Sequence, residues 1–253
     1  MSFLDTLESP QDTAPIITIT GEAGLGKTRL AATFAKPIFI RAEDGMKSIP
    51  LADRPKAFPL LKNADELFEQ LMMLVKEDHD FETLVIDSVT QLDTLFTNHI
   101  VESDPKKPKT ITTALGGYGA GFAALSAMHA RVRKAAGALN ERKNMTIVFI
   151  AHSQTIQIDL PDQDAYSRYD LRMHKNSVCH YVDNVDLVGH LKLETFVTGE
   201  EKKKAISDGT RVMVAHTMAS CVSKNRYGIT EEIHVPEGEN PLIPFIPFFN
   251  KEV

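Results

Sequence analysis

Short apolar runs alternate with longer amphipathic segments over the first 150 residues of the chain. The runs are rich in β-branched residues and lie at residues 16–20, 37–41, 83–87 and 146–151. Continuous apolar runs of this length are typical of strands buried in a parallel sheet. The segments between them predict helices at residues 28–36, 63–79, 89–103 and 122–143, and Asn63 is a suitable N-cap for the second.

After residue 151 the pattern changes, and strands follow strands. Residues 185–197 and 210–218 alternate between apolar and polar positions, and a polar connection joins them, as in a pair of neighbouring strands. The sequence therefore predicts an α/β fold: a mostly parallel sheet flanked by helices, with an antiparallel hairpin at one edge. It predicts a flexible N-terminal tail at residues 1–14, one core at 15–237 and a C-terminal tail at 238–253.

Two long polar segments, residues 104–121 and 154–177, interrupt this pattern and are predicted to be loops. Loops of such length inside a compact domain tend to be functional. Both carry side chains that suit nucleic acid, because cations pair with phosphates and aromatic rings stack on bases. These residues are Lys106, Lys107, Lys109 and Tyr118 in the first segment, and Tyr166, Arg168, Tyr169, Arg172, His174 and Lys175 in the second.

Composition narrows the class of protein. The chain is 43% hydrophobic and 25% charged, with a net charge of −6, so it is not coated in positive charge for nucleic acid. No apolar run is long enough to cross a bilayer, and the first residues lack the pattern of a signal peptide. Cys179 and Cys221 fit no metal-binding spacing. These features predict a cytoplasmic protein with no membrane partner.

The stretch GEAGLGKT, residues 21–28, fits the phosphate-loop template between a strand and a helix. Its glycines let backbone N–H groups converge on phosphate oxygens at a helix N-terminus. Lys27 is expected to reach the β- and γ-phosphates of ATP, and Thr28 to bind Mg²⁺. The predicted nucleotide-binding residues are Gly21, Glu22, Ala23, Gly24, Leu25, Gly26, Lys27, Thr28 and Arg29.

Polar residues follow the next three predicted strands, at the edge of the sheet where ligands bind. Asp87 ends a buried strand and is predicted to hold the Mg²⁺ shell together with Thr28. Glu43 is the predicted base that polarises water, with Asp44 as the alternative. The fourth strand ends at His152, Ser153 and Gln154, of which His152 and Gln154 are predicted to contact the γ-phosphate.

The order of these parts resembles that of the RecA-type recombinases. The stretch KNRYG, residues 224–228, resembles the K-N-R-F-G motif of bacterial RadA proteins, with Tyr in place of Phe. The core from residue 15 to about residue 235 is similar to phage RecA/RadA-like ATPases, which are AAA-type ATP-binding proteins that anneal single strands. The resemblance implies a RecA-like P-loop NTPase core and a phage protein acting in the bacterial host cell.

The resemblance also implies an assembly. Subunits of this type stack head to tail in rings or filaments, with ATP between neighbours. It implies that Lys224 of one subunit reaches the γ-phosphate held by the next, with Arg226 assisting. It makes the two long segments loops that bind single-stranded DNA, and it implies a single-strand binding protein as a further partner.

Three functions remain open on the sequence. The first is an ATP-dependent protein that anneals or pairs DNA strands in recombination. The second is a DNA motor or helicase-like ATPase, and the third is a RecA-fold switch that does not bind DNA. The sequence shows no zinc finger and no protease-like domain of full-length RadA, so annealing is expected rather than strand invasion by this protein alone.

Overall fold

A computed structural model describes residue 7, residues 12–198 and residues 204–250. Within these ranges one large sheet is formed by the strands β1 Ile16–Gly21, β2 Pro37–Arg41, β3 Lys56–Ala57, β4 Thr83–Asp87, β5 Thr146–Leu160, β6 Gln163–Leu171, β7 Leu187–Leu193, β10 Arg211–Val214, β11 Lys224–Asn225 and β12 Ile233–His234. Their order across the sheet is β12-β10-β7-β1-β5-β4-β2-β3, while β6 pairs with β5 and β11 pairs with β7.

The strands from β7 to β3 in this order run parallel, and β10, β11 and β12 add an antiparallel edge. The predicted mixed α/β fold with a mostly parallel sheet is therefore confirmed. The predicted pairing of the two late strands is also confirmed, because β7 and β10 are antiparallel neighbours. The connection between them contains a small separate hairpin of β8 Phe196–Thr198 and β9 Lys204–Ile206.

Helices cover one face of the sheet. They are α2 Ala64–Lys76, α3 Val89–Ser103 and α4 Ala120–Lys143, close to their predicted positions. The Asn63 side chain accepts a hydrogen bond from the Glu66 N–H, so its predicted capping role is confirmed. Side chains alternate between the two faces of each strand: Ile147 and Phe149 pack against these helices, whereas Val148 and Ile150 pack on the opposite face.

The helix after the phosphate loop is shorter than predicted. Helix α1 spans only Lys27–Ala31, whereas the sequence pattern extended it to Lys36. Lys36 has a left-handed backbone with φ of 38°, and Pro37 begins β2 directly after it. The chain must turn from the helix into the sheet within these few residues, so tertiary structure overrides the local preference for helix. A further short helix, α5, spans Lys175–Val178.

The second long segment is not a loop. Strand β5 continues to Leu160 and pairs antiparallel with β6, so residues 153–171 form a two-stranded extension of the sheet, here called the hairpin. A two-residue connection joins Leu160 to Gln163. The alternation of Ile156, Ile158 and Leu160 with polar residues is the signal for a strand that the sequence analysis missed.

The ends of the predicted core also differ from the expectation. Leu242 and Ile246 are fully buried on the sheet face that α1 covers, so residues 238–250 pack on the core rather than extending as a tail. Ala14 is buried as well, and its N–H donates to Asn144 Oδ1. The rest of the two predicted tails, residues 1–6, 8–11 and 251–253, lies outside the described residues. No helix in the described ranges is long and apolar enough to span a membrane.

Candidate nucleotide site

The carboxyl ends of the parallel strands meet around a cavity of about 520 Å³. The register brings these ends to one level, since Gly21 lies beside His152 and Asp87 lies beside Arg41 and Ile150. The cavity is lined by Gly24, Leu25, Gly26, Lys27, Thr28, Arg29, Glu43, Asp44, Gly45, Ser48, Asp87, Ile150, His152 and Arg211. Most residues predicted for the nucleotide site are therefore brought together.

The phosphate loop has the backbone that its glycines permit. Gly24 and Gly26 have φ of 84° and 86°, in the left-handed region that other residues rarely adopt. Lys27 follows at the start of α1 and is buried, and its Nζ donates to the carbonyl oxygens of Gly21, at 2.9 Å, and Glu22, at 2.7 Å. Of the predicted set, Gly21, Glu22 and Ala23 do not line the cavity, and the first two instead anchor Lys27.

Burial shifts the pKa of two charged groups in this cavity. It lowers the pKa of Lys27 to about 8, although the nearby carboxylates of Asp87 and Glu43 oppose this shift. It raises the pKa of Asp87 to about 6, against the hydrogen bond from Thr28. Both charged forms are therefore poorly solvated in the protein alone. A polyanion beside Lys27 would stabilise its charged ammonium, and a cation beside Asp87 would stabilise its carboxylate.

Thr28, Asp87 and Gly45 form an oxygen-lined position that fits Mg²⁺. The Thr28 hydroxyl donates to Asp87 Oδ2 at 2.8 Å. A Cβ at Gly45 would lie 2.8 Å from Thr28 Oγ1 and 2.9 Å from Asp87 Oδ2, so only glycine leaves this space open. A hydroxyl and a carboxylate are the hard oxygen donors that Mg²⁺ takes beside nucleotide phosphates. These residues therefore fit the predicted metal, and Gly45 is a part of the site that sequence reasoning missed.

Glu43 lines the same cavity as the phosphate loop and is paired with His152. Its Oε1 is 2.9 Å from His152 Nε2, and this hydrogen bond holds the pKa of Glu43 below its usual value. An ionised carboxylate in a cavity beside the loop has the chemistry of a base for water. The alternative, Asp44, is exposed to solvent and forms ion pairs with Arg41 and Lys47. The geometry therefore favours Glu43 over Asp44.

The comparison with known protein families agrees with this geometry. A family described as an AAA domain matches residues 13–227, most of the chain. The chain belongs to the AAA domain family. No curated protein matches the sequence. Members of this family are P-loop ATPases, which supports nucleotide binding and hydrolysis by this AAA domain, generally with Mg²⁺.

Two arginines of the AAA domain line the cavity and differ in their contacts. Arg29, predicted from the motif, forms an ion pair with Glu237 and donates to the carbonyl oxygen of Ser48. Arg211, which sequence reasoning missed, begins β10 and lies against Gly26 of the phosphate loop. No signal in the sequence pointed to Arg211, because only the pairing of β10 with β7 brings it to this edge.

Three predicted catalytic residues lie outside the cavity. Gln154 donates from its amide to the carbonyl oxygen of Leu171 and so links the two strands of the hairpin. Lys224 pairs with Val188 on β7, and its Nζ contacts the carbonyl oxygens of Val182 and Asp183. Arg226 forms an ion pair with Asp186 at 3.0 Å, and Asp186 precedes β7. Within one chain, Lys224 and Arg226 therefore lie toward the end of β7 away from the phosphate loop.

The first long segment remains a loop, and its ends are pinned. Asp104 is buried, and its carboxylate accepts hydrogen bonds from the N–H groups of Lys106 and Leu115. The side chains of Lys106, Lys107, Lys109 and Tyr118 project outward, and the Tyr118 ring is fully exposed. Residues 104–119 are here called the basic loop, because three exposed lysines project from it.

The hairpin carries a different charge. Asp159, Asp162 and Asp164 are exposed near its tip, and Arg168 lies 3.6 Å from Asp170. Tyr169 stacks on His190 with ring centroids 4.9 Å apart. The Arg172 N–H donates to the carbonyl oxygen of His152 at the base of the hairpin, and its positive charge lowers the pKa of Lys27. Of this predicted DNA-binding set, the side chains of Arg168 and Tyr169 therefore contact the protein itself, whereas those of Arg172 and Lys175 are exposed.

We expect Asp87→Asn to change how the stability of the nucleotide-free protein depends on pH. The folded-state pKa of about 6 lies above the ordinary value of 3.8, so the contribution of protonated Asp87 to the stability of the wild-type protein is lost as the pH rises from 4 to 6. Asparagine has no such titration. Relative to the wild type, the free energy of unfolding of the variant should therefore rise by on the order of 2–3 kcal/mol over this range. Urea unfolding of both proteins between pH 4 and 6.5 measures it, and a pH-independent difference would contradict the shift.

Proposed function

We propose that this AAA domain is a RecA/RadA-like ATPase that binds single-stranded DNA and promotes the annealing or pairing of strands in recombination. One observation carries the proposal: the basic loop presents Lys106, Lys107 and Lys109 together with the exposed ring of Tyr118. Cations that follow a phosphate backbone and a ring on which a base stacks are the two elements of sequence-tolerant single-strand binding. The motif order around the nucleotide and the KNRYG stretch support the same type.

The backbone around Tyr118 supports a role in binding. Tyr118 has φ of 52°, and Gly116, Gly117 and Gly119 have φ between 77° and 91°. A tyrosine in this left-handed region is uncommon, and here it keeps the ring away from the protein surface. A large ring that is exposed in a strained loop suits a contact with another molecule.

The hairpin supports coupling between DNA and ATP more than direct contact with DNA. Strand β5 runs without a break from the apolar core through His152, which pairs with Glu43, into the hairpin. A contact that moves the hairpin would therefore reach the predicted base through a continuous strand. The acidic tip would repel a phosphate backbone.

The acidic tip favours a second candidate, an ATP-dependent switch that does not bind DNA. Asp159, Asp162 and Asp164 would suit a basic protein surface instead of a nucleic acid. In that case the lysines of the basic loop would be solvated surface charges. A DNA motor, the remaining alternative, shares the basic loop with the annealing protein and differs only in translocation along the strand.

The proposed protein acts as a homo-oligomer in which Lys224 contacts the nucleotide of a neighbouring subunit. Support comes from the resemblance at residues 224–228 and from the position of Lys224, whose contacts within the described part of its own chain are with backbone carbonyl oxygens. A lysine held by carbonyl oxygens rather than by a carboxylate is available to a phosphate when a neighbour brings one close. Arg226 would be less available, because Asp186 already pairs with it.

Single-stranded DNA is expected to stimulate ATP hydrolysis by the purified protein at low salt, and rising salt should abolish the stimulation. Replacing Lys106 and Lys107 by glutamine should reduce the slope of log affinity against log salt by about 1.4, because each of the two phosphate contacts releases about 0.7 of a counterion. Tyr118→Ala should weaken binding about 10-fold, since one stacked base contributes on the order of 1–3 kcal/mol. Fluorescence anisotropy with labelled oligonucleotide and a coupled ATPase assay provide the two measurements.

The matched control removes two lysines elsewhere. Lys62 and Lys76 lie near the two ends of α2, and their replacement by glutamine leaves the basic loop intact. Equal losses of DNA affinity in the two double variants would mean that net charge, rather than the basic loop, governs binding. Hydrolysis that ignores single-stranded DNA at low salt would contradict the annealing and motor functions and favour the switch. A translocation assay separates the annealing protein from the motor.

A further inference from the structure

We propose that Arg211 is a nucleotide-binding residue that contacts the α- and β-phosphates from the side of the phosphate loop opposite Glu43. The inference rests on the proposed nucleotide site and adds to it a cation that no part of the P-loop motif contains. Arg211 approaches the phosphate loop closely, since an ideal Cβ at Gly26 would lie 2.5 Å from Arg211 Nη1. The guanidinium therefore occupies the space beside the phosphate loop that the absent side chain of Gly26 leaves open.

The guanidinium of Arg211 has no partner within the described residues. No hydrogen bond or ion pair joins it to another side chain or carbonyl oxygen in the described ranges, although the side chain is only half-exposed. The other cations that line the cavity have partners in the structure, since Lys27 donates to two carbonyl oxygens and Arg29 pairs with Glu237. Arg211 is thus, among the residues described, an unpaired cation in a cavity already suited to phosphate.

The three carboxylates that line the cavity pair with other residues and not with Arg211. Glu43 pairs with His152, Asp44 pairs with Arg41 and Lys47, and Asp87 accepts from Thr28. None of these three acids forms an ion pair with Arg211. A planar guanidinium donates two parallel hydrogen bonds to a phosphate, a geometry that the ammonium of lysine does not offer. Among the described residues no acid completes this position, and a phosphate of the nucleotide fits it.

The sheet order identifies which phosphates Arg211 contacts. Strand β1 leads into the phosphate loop, with β5 on one side and β7 on the other. Glu43, Asp87 and His152 belong to the side of β5, β4 and β2, so the Mg²⁺ position and the γ-phosphate lie there. Arg211 belongs to β10, which lies beyond β7 on the other side. Arg211 therefore meets the part of the polyphosphate that ATP and ADP share.

The test compares nucleotide affinity in Arg211 variants of the full chain. Arg211→Gln should raise the Kd of ADP and of a non-hydrolysable ATP analogue by similar factors of about 10 to 100, the range expected for hydrogen bonds between charged groups. Arg211→Lys should cause a smaller loss, because it keeps the charge without the two-pronged geometry. Isothermal titration calorimetry in the presence of Mg²⁺ measures both constants. Arg142→Gln, an exposed arginine in the last turn of α4, is the matched control and should leave both unchanged.

Each outcome decides a different question. Unchanged Kd values in both Arg211 variants would overturn the inference about Arg211. The proposal that the protein is an ATPase would still stand. A loss for the ATP analogue without a loss for ADP would also overturn it, because Arg211 would then contact the γ-phosphate. A lower unfolding temperature of nucleotide-free Arg211→Lys with unchanged Kd values would assign Arg211 a structural role only. Wild-type protein that binds neither nucleotide would instead contradict the proposed function.

Discussion

Replacing Lys27 by alanine is expected to reduce ATP hydrolysis by about 100-fold or more, the loss typical of removing one preorganised charge from a transition state. Lys27 is buried between the phosphate loop and the carboxylates of the cavity, so its charge can act on phosphate with little screening by water. Its ammonium donates to the carbonyl oxygens of Gly21 and Glu22. Burial lowers its pKa to about 8, so the fold itself does not favour the charge.

Loss of hydrolysis must be separated from loss of folding, because alanine removes the packing of a buried side chain together with its ammonium group. Lys27→Met keeps the length of the side chain and removes only the ammonium group. If Lys27 serves the nucleotide, Lys27→Met should fold as the wild type does by circular dichroism and still lack ATPase activity. A Lys27→Met protein that keeps wild-type activity would contradict the assignment of the phosphate loop.

The parts of the site that the sequence predicted are those fixed by local chemistry. The phosphate loop needs glycine at Gly24 and Gly26 and a lysine directly after them, so a short stretch of sequence defines it. Asp87 and Glu43 follow predicted strands, and parallel strands bring their carboxyl ends to one edge. Knowledge of the strands was therefore sufficient to place these acids near the loop.

The parts that the sequence did not predict depend on pairing between distant segments. Arg211 reaches Gly26 only because β10 adds to the edge of the sheet beside β7, and no spacing in the sequence encodes that contact. The hairpin was missed for a different reason. Its strands are half exposed, so polar residues outnumber the apolar positions at Ile156 and Ile158, and the segment has the composition of a loop. Gly45 could have been noticed, since a glycine follows the predicted base by two residues.

A mixture of two inactive variants is expected to recover activity if Lys224 acts across a subunit interface. Lys224→Ala should bind nucleotide normally but lose hydrolysis. Each of its cavities keeps all of its own residues and lacks only the lysine that the neighbouring subunit would supply. Glu43→Gln should lose hydrolysis because it lacks the base. In a head-to-tail assembly mixed in equal amounts, about one interface in four pairs an intact cavity with an intact lysine, since each contact joins different patches of two subunits. The mixture should therefore recover about one quarter of wild-type ATPase activity.

The control for this experiment combines two defects of the same cavity. Glu43 and Lys27 line the same cavity of a single chain. In a mixture of the Glu43→Gln and Lys27→Met proteins every cavity is therefore defective, whichever subunits meet at an interface. That mixture should stay inactive, although its subunits assemble in the same way. Recovery in the first mixture and none in the second would place the Lys224 contact between subunits. A mixture that assembles, by light scattering, and recovers nothing would remove Lys224 from the site and leave its contacts with Val182 and Asp183 as its role in the protein.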